Sequence, residues 1–225
     1  MSNNYYISGL PRSGSTLLFN ILKQNPVLSD ISKGRQWGTD KSLPDLFQID
    51  KPKILVTYRP ILEVLASFVK LAEQYPLTNF IDASILENKD FPSLSYRPLN
   101  DARCDWIMRF DGPIENNNSL FKNMAIYNEW FHLITYEDLC SNPKETIAKV
   151  YDFLEIEHYE HDFENIPQHD NSEDEEEFGI PTLHTIRPQI SKSLTKPEEV
   201  LSDYVIQKYS NAMDFFTKGW LQFQP

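Results

Sequence analysis

Cysteine and glycine are scarce in this chain, which carries 2 Cys and 7 Gly in 225 residues. The two thiols, Cys104 and Cys140, belong to no closely spaced set, and a chain of this size does not need a bridge to fold. Reduced cysteines are therefore expected. Basic charge is short as well: 21 Lys+Arg stand against 33 Asp+Glu, a net charge of −12. That balance argues against a protein that neutralises a nucleic-acid backbone or an anionic membrane, and against polyanionic glycans unless a local basic groove overrides the total. Long apolar runs are missing too. The most apolar helical stretch, residues 61–72, is interrupted by Glu63 and Lys70, and a membrane span needs ~20 apolar residues. Met1-Ser2-Asn3-Asn4 lacks the basic segment of a signal peptide. A soluble, cytoplasmic protein is expected.

What is present is a folding composition, 40% hydrophobic and 13% aromatic. A chain of this length buries about 70% of its unfolded surface around one core, so residues 1–225 are expected to form a single domain. Tyr5 to Ser8 reads as a short buried strand, followed by a loop and by a helix with Leu17, Leu18, Ile21 and Leu22 on one stripe. Lys53 to Tyr58 reads as a second strand, with Pro60 placed for a first helical turn and Ile61, Leu65, Phe68 and Ala72 at helical spacing. Phe131 to Tyr136 reads as a third, after which Asn142-Pro143 is an N-cap and N1 pair opening a helix on Ile147, Val150, Tyr151 and Leu154. Strands alternating with helices predict an α/β fold of three layers, a mostly parallel central sheet flanked by helices.

Other segments carry less. Residues 76–117 mix four prolines with short apolar clusters and suggest helices broken by loops, with a lid among them. Glu173 to Glu177 is a run of acids and reads as a solvated loop. Asp105 and Arg109, four apart, read as a surface ion pair. A last helix is expected from about Glu198 to Phe216, with Leu201, Val205, Tyr209 and Met213 on its buried face.

Two of the seven glycines, Gly9 and Gly14, bracket the turn between the first strand and its helix, in Gly9-Leu10-Pro11-Arg12-Ser13-Gly14-Ser15-Thr16. A glycine-bearing loop that opens a helix aims backbone N–H groups at one point, with the positive helix end behind them, and so suits a phosphate. Ser13, Ser15 and Thr16 add hydroxyls, and Arg12 adds a planar cation that forks onto anionic oxygens. The spacing is close to the nucleotide-triphosphatase P-loop, yet Ser15 stands where that motif requires lysine. An ordinary kinase site is thereby compromised.

The stretch Gly-Leu-Pro-Arg-Ser-Gly-Ser-Thr-Leu-Leu at 9–18 resembles the 5′-phosphosulfate loop of sulfotransferases that use 3′-phosphoadenosine 5′-phosphosulfate (PAPS), in particular their bacterial and protein-tyrosine branches. The resemblance implies a P-loop-like sulfotransferase fold. It implies PAPS as donor and adenosine 3′,5′-bisphosphate (PAP) as product, with cofactor contacts from Pro11, Arg12, Ser13, Gly14, Ser15 and Thr16. Arg59 and Ser67, eight apart, match the family's grip on the 3′-phosphate. Tyr136-Glu137-Asp138-Leu139 followed by Asn142-Pro143 is similar to the family's YEdL…P segment, which implies Tyr136 near the nucleotide and an acidic pair stabilising the loop. Leu183-His184-Thr185-Ile186-Arg187 is similar to a Leu-His-Thr-Val-Arg stretch of the bacterial branch; it implies a cofactor role for Arg187, with Ser191, Lys192 and Lys196 facing the adenosine. The glycine-lysine signature of the cytosolic branch is not present.

The implied reaction is in-line transfer of a sulfuryl group to a hydroxyl or amine of a small-molecule, carbohydrate or peptide acceptor, with neither metal nor nucleic acid involved. Arg12 would be catalytic, stabilising charge on the departing phosphate. The family's base is a Glu or His, often from the segment after the first helix. Here Ser29 to Trp37 lacks that glutamate, and Asp30 is the nearest carboxylate to act as base, with Asp40 and His184 behind it. Two rival readings stay open. One is a P-loop kinase of a small metabolite, which Ser15 opposes. The other is a PAP-binding or scaffold protein without turnover, which the missing glutamate favours.

Overall fold

Four strands, Tyr5–Gly9 (β1), Ser32–Lys33 (β2), Lys53–Tyr58 (β3) and Phe131–Thr135 (β4), pair in parallel in the order β2-β1-β3-β4. The computed structural model describes residues 5–28, 31–33, 53–87, 97–109, 112, 114, 124, 128–168, 174–193 and 195–212. Successive strand residues face opposite ways, and the sheet therefore feeds two cores. Tyr6, Ile54, Val56, Phe131 and Leu133 enter one; Ile7, Leu55 and Ile134 enter the other.

Helices cover both faces. The first core is completed by Ile61–Gln74 (α2), with Phe80–Glu87 (α3), Leu99–Ile107 (α4) and Asp203–Tyr209 (α8) around it. The second is completed by Ser15–Leu22 (α1) and Pro143–Leu154 (α6), whose Leu18, Ile21, Leu22, Ile147, Val150, Tyr151 and Leu154 are all buried. Two short helices are Tyr136–Ser141 (α5), which follows directly on β4, and Asp174–Phe178 (α7), whose Phe178 packs against Leu71, Ile180 and Leu183. The expected three-layer α/β architecture with a parallel sheet is the one the chain adopts.

Three local expectations are corrected. The third predicted strand stops one residue early because the Asp138 amide donates to Thr135 Oγ1 at 3.0 Å, capping α5 before Tyr136 can continue the ladder. Asn142 precedes an N1 proline as expected, but its side chain makes no capping bond. The last helix begins at Asp203 rather than near Glu198: Pro197–Glu199 is a 3-10 turn, and Ser202 Oγ caps α8 by accepting from the Val205 amide at 3.3 Å. Met213 and Phe216 fall outside the described residues.

Asp105 is not half of a surface pair. Its side chain is 1% exposed and takes Arg97, Lys208 Nζ at 2.8 Å and the Tyr209 hydroxyl at 2.6 Å, which locks α8 against α4. Cys104 and Cys140 are both free thiols, and burial pushes Cys104 up to about 12, a value at which a thiol is unreactive near neutral pH. Among the described residues no helix is long and apolar enough to cross a membrane.

One interior cluster sets a pH response. Tyr151 receives the Asn25 amide at 2.9 Å and shares a 2.9 Å bond with His161 Nε2, all three being buried. Burial lowers the His161 pKa, so the folded chain keeps this ring neutral where the unfolded chain protonates it. That contribution to stability is complete above the ordinary histidine value of about 6.5 and is lost as pH falls below it. The melting temperature is expected to drop between pH 7 and pH 5.5, and less steeply in His161→Gln. Equal slopes in the two proteins would rule the linkage out.

Candidate functional site

The site grows from the carboxyl ends of three adjacent strands. Gly9 closes β1 at φ +138, where its backbone lies so near Thr57 that a Cβ would overlap the Thr57 carbonyl oxygen. Beyond it Ser13 folds under the loop: its buried hydroxyl donates to the Leu10 carbonyl and shares a 2.7 Å bond with Thr57 Oγ1. Gly14, at φ +97, then turns the chain into α1, whose first ladder bond runs from the Leu18 amide to the Gly14 carbonyl at 2.9 Å. The amino-terminal, electropositive end of α1 thus opens beside Arg12.

Arg12 is itself left-handed, at φ +62. Its Nε donates to Ser67 Oγ on α2 at 3.3 Å, and its Nη1 donates to the Leu183 carbonyl. Arg59, one residue past β3, is 4% exposed; it donates to Glu63 Oε2 at 2.9 Å and lays its guanidinium 4.3 Å over the Tyr136 ring. Tyr136, one residue past β4, accepts at its hydroxyl from the Ser193 amide at 3.2 Å. Burial, followed by the repulsion of Arg59, brings the Arg12 pKa down to about 10, with Tyr136 and Asp174 acting in the opposite sense. Arg12 stays charged at neutral pH, and a bound anion would relieve the repulsion of Arg59, the second cause of the lowering after burial.

These groups surround a cavity of 330 Å³. Arg12, Arg59, Lys70 and Arg187 line it, with His184 and several hydroxyls, and among the described lining residues none is Asp or Glu. In a chain of net charge −12 that is a strong local reversal of sign, and low-dielectric walls focus such a field on the interior.

Of the residues singled out from sequence, the structure brings Pro11, Arg12, Gly14, Ser15, Thr16, Arg59, Ser67, Tyr136, Arg187 and Ser191 together around this cavity. Ser13 is placed differently, because its hydroxyl is committed to Leu10 and Thr57 beneath the loop and does not line the cavity. Lys192 turns to Glu137 instead of the cavity, and Lys196 does not line it. Asp30 and Asp40 lie outside the described residues. The acid run is corrected in part: Glu173 is not described, but 174–178 is helical and Asp174 is 4% exposed, bonded to His184.

Sequence reasoning missed Lys70, Leu71 and Gln74, which follow Ser67 at i+3, i+4 and i+7 and share its face of α2. Helical spacing counted from Ser67 would have found them. The Lys70 ammonium donates to Thr195 Oγ1 at 3.1 Å, closing one wall of the cavity. Asp174 was hidden by its four acidic neighbours.

Comparison with the curated proteins finds no match. A family model does match: the sulfotransferase domain, over residues 38–215. The matched span contains Arg59, Ser67, Tyr136 and the 183–191 segment and starts downstream of the glycine loop, so the loop geometry and the family match are separate observations. With more than half of its length covered, on a parallel α/β sheet, the chain belongs to the sulfotransferase domain family.

Proposed function

We propose that this chain transfers a sulfuryl group from PAPS to a hydroxyl or amine of a small-molecule, carbohydrate or peptide acceptor, acting as one catalytic domain. The observation that carries the reading is a cavity whose described lining residues include four cations and no carboxylate, in a strongly acidic chain. PAPS would present two anionic ends, and the cations lining the cavity would meet both. Arg12 and the start of α1 suit the 5′-phosphosulfate. Arg59 and Ser67, with Lys70 one turn on, suit the 3′-phosphate, and Arg187, which donates to Ser191 Oγ, lines the same cavity. When bound, PAPS supplies an activated sulfuryl group whose leaving oxygen gains negative charge. Arg12 is preorganised to stabilise that charge.

Calorimetric titration with PAP tests this. A charge-assisted hydrogen bond contributes about 1.5–3 kcal/mol, so Arg12→Ala and Arg59→Ala are each expected to weaken PAP about 10- to 100-fold. ATP with magnesium, run in parallel, is expected to bind more weakly, since Ser15 replaces the lysine that reaches a triphosphate. Unchanged PAP affinity in both variants would remove the basis for the reading.

A further inference from the structure

We propose that Asp174 is a positioning residue for Arg12 and acts on it through the peptide group between Leu183 and His184, a role that rests on the PAPS reading above. Asp174 Oδ2 accepts from the His184 amide at 2.8 Å, and the carbonyl of that same peptide, on Leu183, accepts from Arg12 Nη1. The N–H and C=O of a trans peptide point to opposite edges, so the carboxylate and the guanidinium stand at the two ends of one amide dipole. A carboxylate drawing on the N–H polarises the amide and leaves its carbonyl oxygen more negative, which strengthens the bond to Arg12. Asp174 and Arg12 thus form an ion pair with a peptide in the middle.

Both ends of this link are built for it. Of the acids at 174–177 the last three are exposed, whereas the Asp174 side chain is 5% exposed, and a carboxylate is costly to bury unless its charge is used. Its other oxygen, Oδ1, meets His184 Nδ1 at 2.5 Å, which holds the carboxylate against the peptide. The helix that carries Asp174 is seated on the backbone: just past its end Gly179, at φ +63, lies so near Thr78 that a Cβ would fall 1.9 Å from the Thr78 carbonyl oxygen. Arg12, at the far end, needs holding. It sits at φ +62, a conformation that persists in a residue other than glycine only when its surroundings over-determine it. Ser67 Oγ supplies one hold at 3.3 Å, and the Leu183 carbonyl supplies the other. Burial and Arg59 lower the Arg12 pKa, and Asp174 acts against them.

The sign of one effect separates positioning from a plain field effect. A carboxylate near an anion site repels the anion, so neutralising it with nothing moved would tighten PAP. Acting through Arg12, the same change weakens it. In calorimetry on the full chain, Asp174→Asn, which keeps the side-chain shape and an acceptor for the His184 amide, is expected to bind PAP about 10-fold more weakly than the wild type, the charge-assisted bond being gone. In an Arg12→Ala background the same substitution is expected to change PAP affinity less than about 2-fold, because the group it acts on is missing. A general loosening of the wall would weaken PAP in both backgrounds alike. The second readout needs no ligand: in NMR spectra the His184 amide proton is expected to shift upfield in Arg12→Ala, as the carbonyl end of its peptide loses a charged donor. This readout leaves Asp174 in place, so it decides the matter even where Asp174→Asn does not fold. Asp174→Asn that binds PAP as tightly as the wild type or more tightly, an equal loss in both backgrounds, or a His184 amide that does not move in Arg12→Ala overturns the assignment. A wild type that binds no PAP overturns the donor reading, and the link from Asp174 to Arg12 then stands or falls on the amide resonance.

Discussion

Asp82→Ala is expected to destabilise the fold by about 3–5 kcal/mol, the cost of leaving a buried partner charge uncompensated. Arg103 grips Asp82 through both carboxylate oxygens, Nε to Oδ1 at 2.7 Å and Nη2 to Oδ2 at 2.6 Å, with the two side chains 3% and 0% exposed. The Leu77 amide adds a third bond to Asp82 at 3.0 Å. Burial alone would raise the Asp82 pKa; the Arg103 fork, the Leu77 amide and Asn79 outweigh it and hold the carboxyl below its ordinary value. Stability from this group is therefore full above the usual aspartate range and lost as pH falls through the lowered value. Denaturant unfolding at pH 7 measures the loss, and a change under about 1 kcal/mol would mean the pair is not buried as described. The site feels the same lesion. Asn79 Nδ2 reaches the Ala72 carbonyl at 3.3 Å, so this cluster anchors the end of α2 that carries Lys70, Leu71 and Gln74.

Gly9→Ala is expected to cost about 3 kcal/mol, from backbone strain and overpacking together. At φ +138 an L-residue is strained whatever the space, and here the added Cβ would also meet Thr57 Oγ1 at 2.6 Å besides the Thr57 carbonyl. Thr57 cannot yield easily, since its hydroxyl is bonded to Ser13 at 2.7 Å and packs 3.3 Å from the Ser8 carbonyl oxygen. The damage should therefore reach Arg12, and PAP affinity should fall with stability. Gly14→Ala is the comparison. Its Cβ would meet the Tyr136 ring at 3.0 Å, a side chain rather than backbone, and a smaller loss is expected. A Gly14→Ala variant less stable than Gly9→Ala would contradict this account of the loop.

Much of the frame was legible because it depends on short-range pattern. The short strand-like runs read at 5–8, 53–58 and 131–136 and the stripes through Leu18 and Phe68 each need only local neighbours to be read. The loop was legible in outline, since glycines at both ends of a strand-to-helix turn suit few other uses. Ser13 was misplaced because its partners, Leu10 and Thr57, are joined to it only by the register of β1 with β3. Asp105 and Asp174 were misread for the same reason. Each looks like a surface acid beside its sequence neighbours, and each is buried by partners some 100 or 10 residues away, Lys208 and His184. Composition hid the cavity's sign as well, because four cations gathered from 12, 59, 70 and 187 vanish in a total dominated by acids.

The parallel register has a bearing on how such a chain can change. Gly9 pairs with Thr57 and Tyr58 with Thr135, so Arg12, Arg59 and Tyr136 leave the sheet from one crest. Inserting a single residue within Lys53–Tyr58 would advance Arg59 by about 3.3 Å and invert every side chain between the two cores. Length is tolerated only in the crossovers, so descendants of this sequence are free to remodel the segments that arch over the crest while the crest itself stays frozen.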